Sequence, residues 1–111
     1  MRNEDFSEVE GQRYYVEEVV GFFDVRTPEL PFSHFTVKVI RKADGRFQAR
    51  PNVFFRTAQA IEYTGGSGGT VEKAGFDAVR SLYQEIKKSK SFNETLVTDF
   101  VWMQWTPFGF C

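Results

Sequence analysis

Only one hairpin register sorts the side chains of residues 34–55, HFTVKVIRKADGRFQARPNVFF, into an apolar and a charged face. A two-residue turn at Asp44-Gly45 would set Lys42 opposite Phe47 and Lys38 opposite Pro51, mixing charge with apolar groups on each face. A three-residue loop, Ala43-Asp44-Gly45, instead sets Arg41 opposite Phe47, Val39 opposite Ala49, Val37 opposite Pro51 and Phe35 opposite Val53. The reverse face then pairs Lys42 with Arg46, Ile40 with Gln48, Lys38 with Arg50 and Thr36 with Asn52. Strand side chains alternate, so a one-residue slip would exchange the faces of one strand only, and the clean segregation selects the longer loop. That loop has a known geometry, a type I turn followed by a glycine in the left-handed region. A chain with this hairpin builds an antiparallel sheet that buries one face.

The surrounding pattern supplies a cover for that face. From Val71 to Lys88, apolar side chains recur at Val71, Ala74, Ala78, Val79, Leu82, Tyr83 and Ile86, the spacing of one buried helical stripe. Thr70 suits the N-cap, and Lys87, Lys88 and Lys90 suit the C-terminal end of the helix dipole. Gly75 inside this helix marks a close approach to the sheet or a later helix start. Residues 13–26 read as a long strand, with Gly21 at a bulge or bend. Strands are also expected near 34–42, 46–56 and 58–63, and a last one from Leu96 to Trp105 with apolar groups on both faces. The predicted fold is α+β, an antiparallel sheet of four to five strands with one helix on one face, in the order ββββαβ. A flexible acidic segment, 1–12, precedes a single domain, 13–111; 111 residues suffice for one core.

Four glycines and a serine in YTGGSGGT, residues 63–70, precede the helix. The phosphate-loop pattern needs a lysine that is missing here, and the dinucleotide pattern needs a third glycine where Val71 stands. A connector between sheet and helix is the simpler reading, because glycine and serine give the chain its greatest freedom.

The charged hairpin face sets two cation pairs, Lys42 with Arg46 and Lys38 with Arg50, directly opposite each other, which costs some tenths of a kcal/mol per pair, roughly. An external anion such as a single-stranded nucleic-acid backbone could offset this, held by Lys38, Lys42, Arg46, Arg50 and Gln48 with aromatics for stacking. The alternative is internal: Glu17 and Glu18 lie on the neighbouring strand, and one of them must share the basic face. The internal reading is preferred, since most charged strand faces are merely solvated. The order of strands and helix, with Gly45-Arg46-Phe47 at a strand junction, resembles Pur-type and Whirly-type single-strand nucleic-acid binders over residues 34–88. The strand after the helix departs from a single repeat of that kind, and the chain is not assigned to either family.

Net charge is −1, so no overall field draws the chain to nucleic acid or to an anionic membrane. No apolar run reaches membrane-spanning length, and no secretory signal is recognisable, which together suggest a cytoplasmic, intracellular protein. The one cysteine, Cys111, excludes an intrachain disulfide and a cysteine-based metal cluster. No metal or other cofactor is expected. His34 is the only histidine, and a pairing with Asp24 has no motif behind it. Glu17 and Glu18 are adjacent on a strand and point to opposite faces, so they form no carboxylate dyad. Without a nucleophile–base pair, catalysis is not expected.

Thirteen phenylalanines exceed what one small core readily hides. The tail FVWMQWTPFGFC either folds back onto the core, the favoured reading, or inserts into another chain through Trp102, Trp105, Phe108 and Phe110. The first functional expectation is therefore a non-catalytic interaction module that binds a protein partner, or another copy of itself, through its sheet and aromatic C-terminus. The alternatives are the single-stranded nucleic-acid binder and a small enzyme or ligand carrier.

Overall fold

The computed structural model describes residues 6–9, 12–106 and 109–110, with side chains over 16–104. The fold is α+β: two antiparallel sheets, of four and three strands, and one long helix. The strands are β1 (Phe6–Val9), β2 (Gln12–Tyr15), β3 (Glu18–Arg26), β4 (His34–Arg41), β5 (Phe47–Pro51), β6 (Val53–Arg56), β7 (Ile61–Glu62) and β8 (Gly66–Gly68). Helix α1 (Val71–Ser89) follows, then β9 (Phe100–Trp102), β10 (Trp105–Thr106) and β11 (Gly109–Phe110). The larger sheet has the order β3-β4-β5-β8 and the smaller β7-β6-β9.

The central hairpin adopts the register that segregates its side chains. Val37 pairs Pro51, Lys38 pairs Arg50, Val39 pairs Ala49, Ile40 pairs Gln48 and Arg41 pairs Phe47. Gly45 closes the turn at φ 85, with its N–H donating to the Lys42 carbonyl and the Lys42 N–H donating to the Arg46 carbonyl. Phe35, Val37, Val39, Ala49, Val53 and Phe55 line the buried face, and Ala74, Ala78, Leu82 and Ile86 of α1 close over it. The helix stripe lies where its 3.6-residue spacing puts it.

Several boundaries differ from the expectation. The strand expected over 13–26 breaks at Val16-Glu17: its start lies in β2, which pairs with β1 in a ladder that, among the described residues, joins no other strand. The strand expected over 46–56 breaks at Asn52. There Asn52 takes both roles in the ladder: its side-chain oxygen accepts the Thr36 N–H at 2.9 Å, and its own N–H donates to the Thr36 carbonyl. Its carbonyl accepts the Met103 N–H, so the kink joins the two sheets. The last strand begins at Phe100, not Leu96, because residues 92–94 and 97–99 form two 3₁₀ turns. Leu96 and Val97, expected inside a strand covered on both sides, are exposed.

The glycine run is a packed strand rather than a connector. β8 pairs with β5, and its glycines lie directly against α1. A Cβ on Gly66 would lie 2.6 Å from the Ala74 carbonyl oxygen and closer still to the Ala78 nitrogen, and one on Gly68 would lie 2.9 Å from the Ala74 nitrogen. Only glycine lets strand and helix backbones meet at this distance. Gly75 plays the same part from the helix side, where a Cβ would meet the Phe23 ring at 2.9 Å.

Candidate interaction surface

The residues proposed to hold an external anion lie on one ladder face but do not form a row of free cations. Lys38 is 2% exposed, and its Nζ donates to Glu17 Oε1 at 3.1 Å. Arg50 Nη1 lies 3.3 Å from the other carboxylate oxygen of Glu17, itself almost buried. One carboxylate thus answers the like-charge pair from inside the chain. Burial holds the Lys38 ammonium below its ordinary value; the hydrogen bond and charge of Glu17 oppose that shift, while Arg50 adds to it. Gln48 is half-buried between Ile40 and Ser67 in the ladder. Lys42 and Arg46, at the hairpin tip, are exposed, and the Arg50 side chain is partly so. Glu18 turns the other way, 3.2 Å from Arg41, whose guanidinium lies over the Phe47 ring.

The helix N-terminus is likewise occupied by the chain itself. Thr70 Oγ1 accepts the Lys73 N–H at 3.1 Å, and the Asp77 carboxylate accepts the Ser67 N–H at 3.0 Å while pairing with Arg80. Arg80 and the Ser67 N–H together hold the Asp77 carboxyl below its usual range. His34 Nε2 stands 4.0 Å from Asp24 Oδ1, beyond hydrogen-bond reach, with both side chains half-exposed. Among the described residues, no helix is long and apolar enough to cross a membrane.

Trp102 is the one expected partner-binding aromatic whose side chain is described. It stands 42% exposed with its ring edge-to-face on Phe32 at 4.9 Å, and Phe32 in turn meets Phe100 edge-to-face at 4.8 Å. Trp105 and Phe110 pair through their backbones in the β10–β11 ladder; their side chains, and the whole of Phe108, lie outside the described residues.

A mainly apolar groove lies elsewhere, between β3 and α1. The helix covers β8 and β5 and only the margin of β3, so the helix-side face of β3 stays partly open. A groove of about 580 Å³ runs there, lined by Phe23, Val25, Gly75, Phe76, Val79 and Tyr83. Phe76 is 70% exposed, and the Tyr83 hydroxyl is pushed above its ordinary value by burial, with the Glu29 charge adding. The charged residues that border the groove are engaged with one another or with neighbours: Arg26 with Asp24 at 3.7 Å, Arg80 with Asp77.

Strand β3 is also an end strand of the four-stranded sheet. It runs for 9 residues, with one irregularity between Val19 and Gly21 and an unbroken register from Gly21 to Arg26. The end strand of a sheet is where a further strand can be added. The opposite end of the sheet differs: β8 has 3 residues, and Asp77 already takes the Ser67 N–H. Gly75, Val79 and Tyr83 were read from the sequence as parts of the helix, but no residue of the groove was named as a binding residue. One signal was legible, Phe76, a large apolar side chain that falls off the helix stripe. The chain matches no protein-family model, no curated protein and no solved structure.

Proposed function

We propose that this chain is a non-catalytic interaction module that receives an extended segment of a protein partner along β3, with apolar side chains of that segment seated in the groove beside α1. The observation that carries the reading is the juxtaposition of an end strand of 9 residues with an apolar groove on its helix side. Strand addition uses these two parts separately: main-chain hydrogen bonds supply affinity, and alternate side chains entering pockets supply selectivity. Of the two surfaces expected from the sequence, the sheet takes the leading part, while Trp102 is engaged by Phe32. A cytoplasmic setting belongs to the same proposal, since one cysteine in 111 residues leaves no disulfide framework.

The reading is tested by selecting binders from a displayed library of random peptides and following amide hydrogen exchange of the full chain with each selected peptide. The expected result is peptides with apolar residues at alternate positions, which slow exchange within Glu18–Arg26 and lose binding when Phe76 is replaced by Asp. Phe76 is exposed, so that variant folds as the parent does. A selection that yields no binders, or binders that protect some other segment, overturns the proposal. Titration of a labelled single-stranded oligonucleotide at two salt concentrations tests the rival reading. Binding that weakens steeply with salt and disappears on charge reversal at Lys42 and Arg46 would replace the protein partner with a nucleic acid.

A further inference from the structure

We infer that the partner segment seated in the groove is acidic next to its apolar run, and that its carboxylates cross Phe76 into a basic cavity on the other flank of α1. This rests on the interaction reading above, of which it uses the groove and not the edge of β3.

The groove does not end at the helix. A second cavity, of about 740 Å³, is lined by Arg46, Gly68, Lys73, Phe76, Asp77 and Arg80. Phe76 and Arg80 line both cavities, so the two meet across one ridge on the outer face of α1. These two residues are one turn apart and stand one above the other. The chemistry changes across the ridge. On the β3 side lie Phe23, Val25 and Val79. On the other lie three cations, Arg46 from the hairpin tip and Lys73 and Arg80 from the helix, against one carboxylate, Asp77. All three cations are exposed. Asp77 is committed to Arg80 and the Ser67 N–H. Among the described residues, neither Arg46 nor Lys73 is paired with an acidic side chain. The attraction comes from these side chains, since Thr70 Oγ1 already takes the Lys73 N–H.

A ligand that fills both cavities is apolar over one part of its length and anionic over the next. A nucleic-acid strand carries charge at every residue, so it suits the basic cavity and not the groove. Its backbone would also need the ladder-face cations that Glu17 already holds. A peptide changes character from one residue to the next. Exposed ion pairs are individually weak. Burial of apolar side chains therefore supplies most of the affinity, and the acids select among apolar segments.

The test repeats the random-peptide selection on the full chain and, in parallel, on a double variant, Arg46→Glu with Lys73→Glu. Both positions are exposed, and the variant's thermal melt should match the parent's. Peptides selected on the parent are expected to carry Asp or Glu beside the apolar run. Those selected on the variant keep the apolar run and lose the acids. For a parent-selected peptide, the double variant weakens binding on the order of tenfold. Replacing the peptide's acids by Gln does the same, and the two changes together cost no more than either alone. Phe76→Ala weakens the acidic peptide and its Gln form alike. Selected peptides without acidic bias, or affinities indifferent to the double variant, overturn the inference. So does an acidic peptide that needs Arg46 and Lys73 but not Phe76, because it would occupy the basic cavity alone. A single-stranded oligonucleotide that displaces the peptide, and itself fails to bind the double variant, assigns these cations to nucleic acid and overturns it as well. If apolar peptides without acidic bias still protect Glu18–Arg26, this inference fails and the interaction reading stands; if no peptide is recovered, both fail.

Discussion

Glu17 holds two cations at once, Lys38 at 3.1 Å and Arg50 at 3.3 Å, from a position where its own carboxylate is almost buried. Removing it takes the Glu17 carboxylate away from the buried Lys38 ammonium, and breaking a buried pair in this way costs about 3 kcal/mol. Glu17→Ala is therefore expected to lower the urea midpoint strongly. Lys38→Met should be much milder, because Glu17 keeps Arg50 and the buried site gains an apolar side chain of similar length. Equal losses from the two variants would contradict this account. At Gly66 the argument is steric. An added methyl meets the helix backbone, which cannot step aside as a flexible side chain can. Gly66→Ala is expected to lose about 2 kcal/mol or more, in the range of core overpacking. Gly69→Ala, with open space at its Cβ, should be neutral or slightly stabilising by thermal melt. Residue identity announced both features only in part. An unbalanced pair of cations was visible in the sequence, and so was the need for an acid, but the choice of Glu17 over Glu18 was made by the break in the strand at Val16-Glu17. The glycines were visible as glycines. Whether they were loose or tightly packed depended on what lay across from them.

At the scale of elements, α1 behaves as its sequence predicts. Thr70 caps it, apolar residues spaced 3–4 apart face the sheet, and basic residues close its last turn. Thr70→Ala should cost about 1 kcal/mol, measurable as a lowered melting temperature with an unchanged fold. The stretch after the helix was misread because its composition, rich in Leu, Val, Phe and Trp, is that of a strand. Two carboxylates divert it. Glu94 reaches the Ser91 N–H, and Asp99 accepts the Leu96 N–H at 2.8 Å while pairing with Lys90 at 3.0 Å. Local side-chain bonds of this kind compete with ladder formation. Those two partners of Asp99, the Leu96 N–H foremost, hold its carboxyl below its usual range. The unfolded chain therefore takes up this proton at a higher pH than the folded one. The stabilisation is complete above about pH 4 and is lost as pH falls through the lower, folded value. Asp99→Asn keeps an oxygen for Leu96 but cannot titrate. Its stability should fall less steeply than the parent's on the acid side, with the residual slope reflecting Asp77, whose carboxyl is lowered in the same sense. Identical acid limbs for parent and variant would show that Asp99 plays no such part.

Across the whole molecule, stability rests on one layer of contact between the helix and the two sheets. Leu82, fully buried at its centre, should lose about 3 kcal/mol on replacement by Ala. That is a large share of the total for a domain of this size. Phe76→Ala, on the same helix but facing outward, should leave the denaturant midpoint nearly unchanged. The pair of variants separates the surface that builds the fold from the surface offered to a partner. The sequence by itself determined the class of fold, the register of the central hairpin and the buried stripe of the helix. Each of these follows from alternation or helical period, which act between near neighbours along the chain. The tertiary structure alone decided that the cations at Lys38 and Arg50 are answered from within, that the glycines form a strand, and that β3 ends the four-stranded sheet beside an apolar groove. Those outcomes depend on which strand comes to lie at the end of a sheet and how far one helix reaches across it, and no periodicity in a sequence encodes that placement.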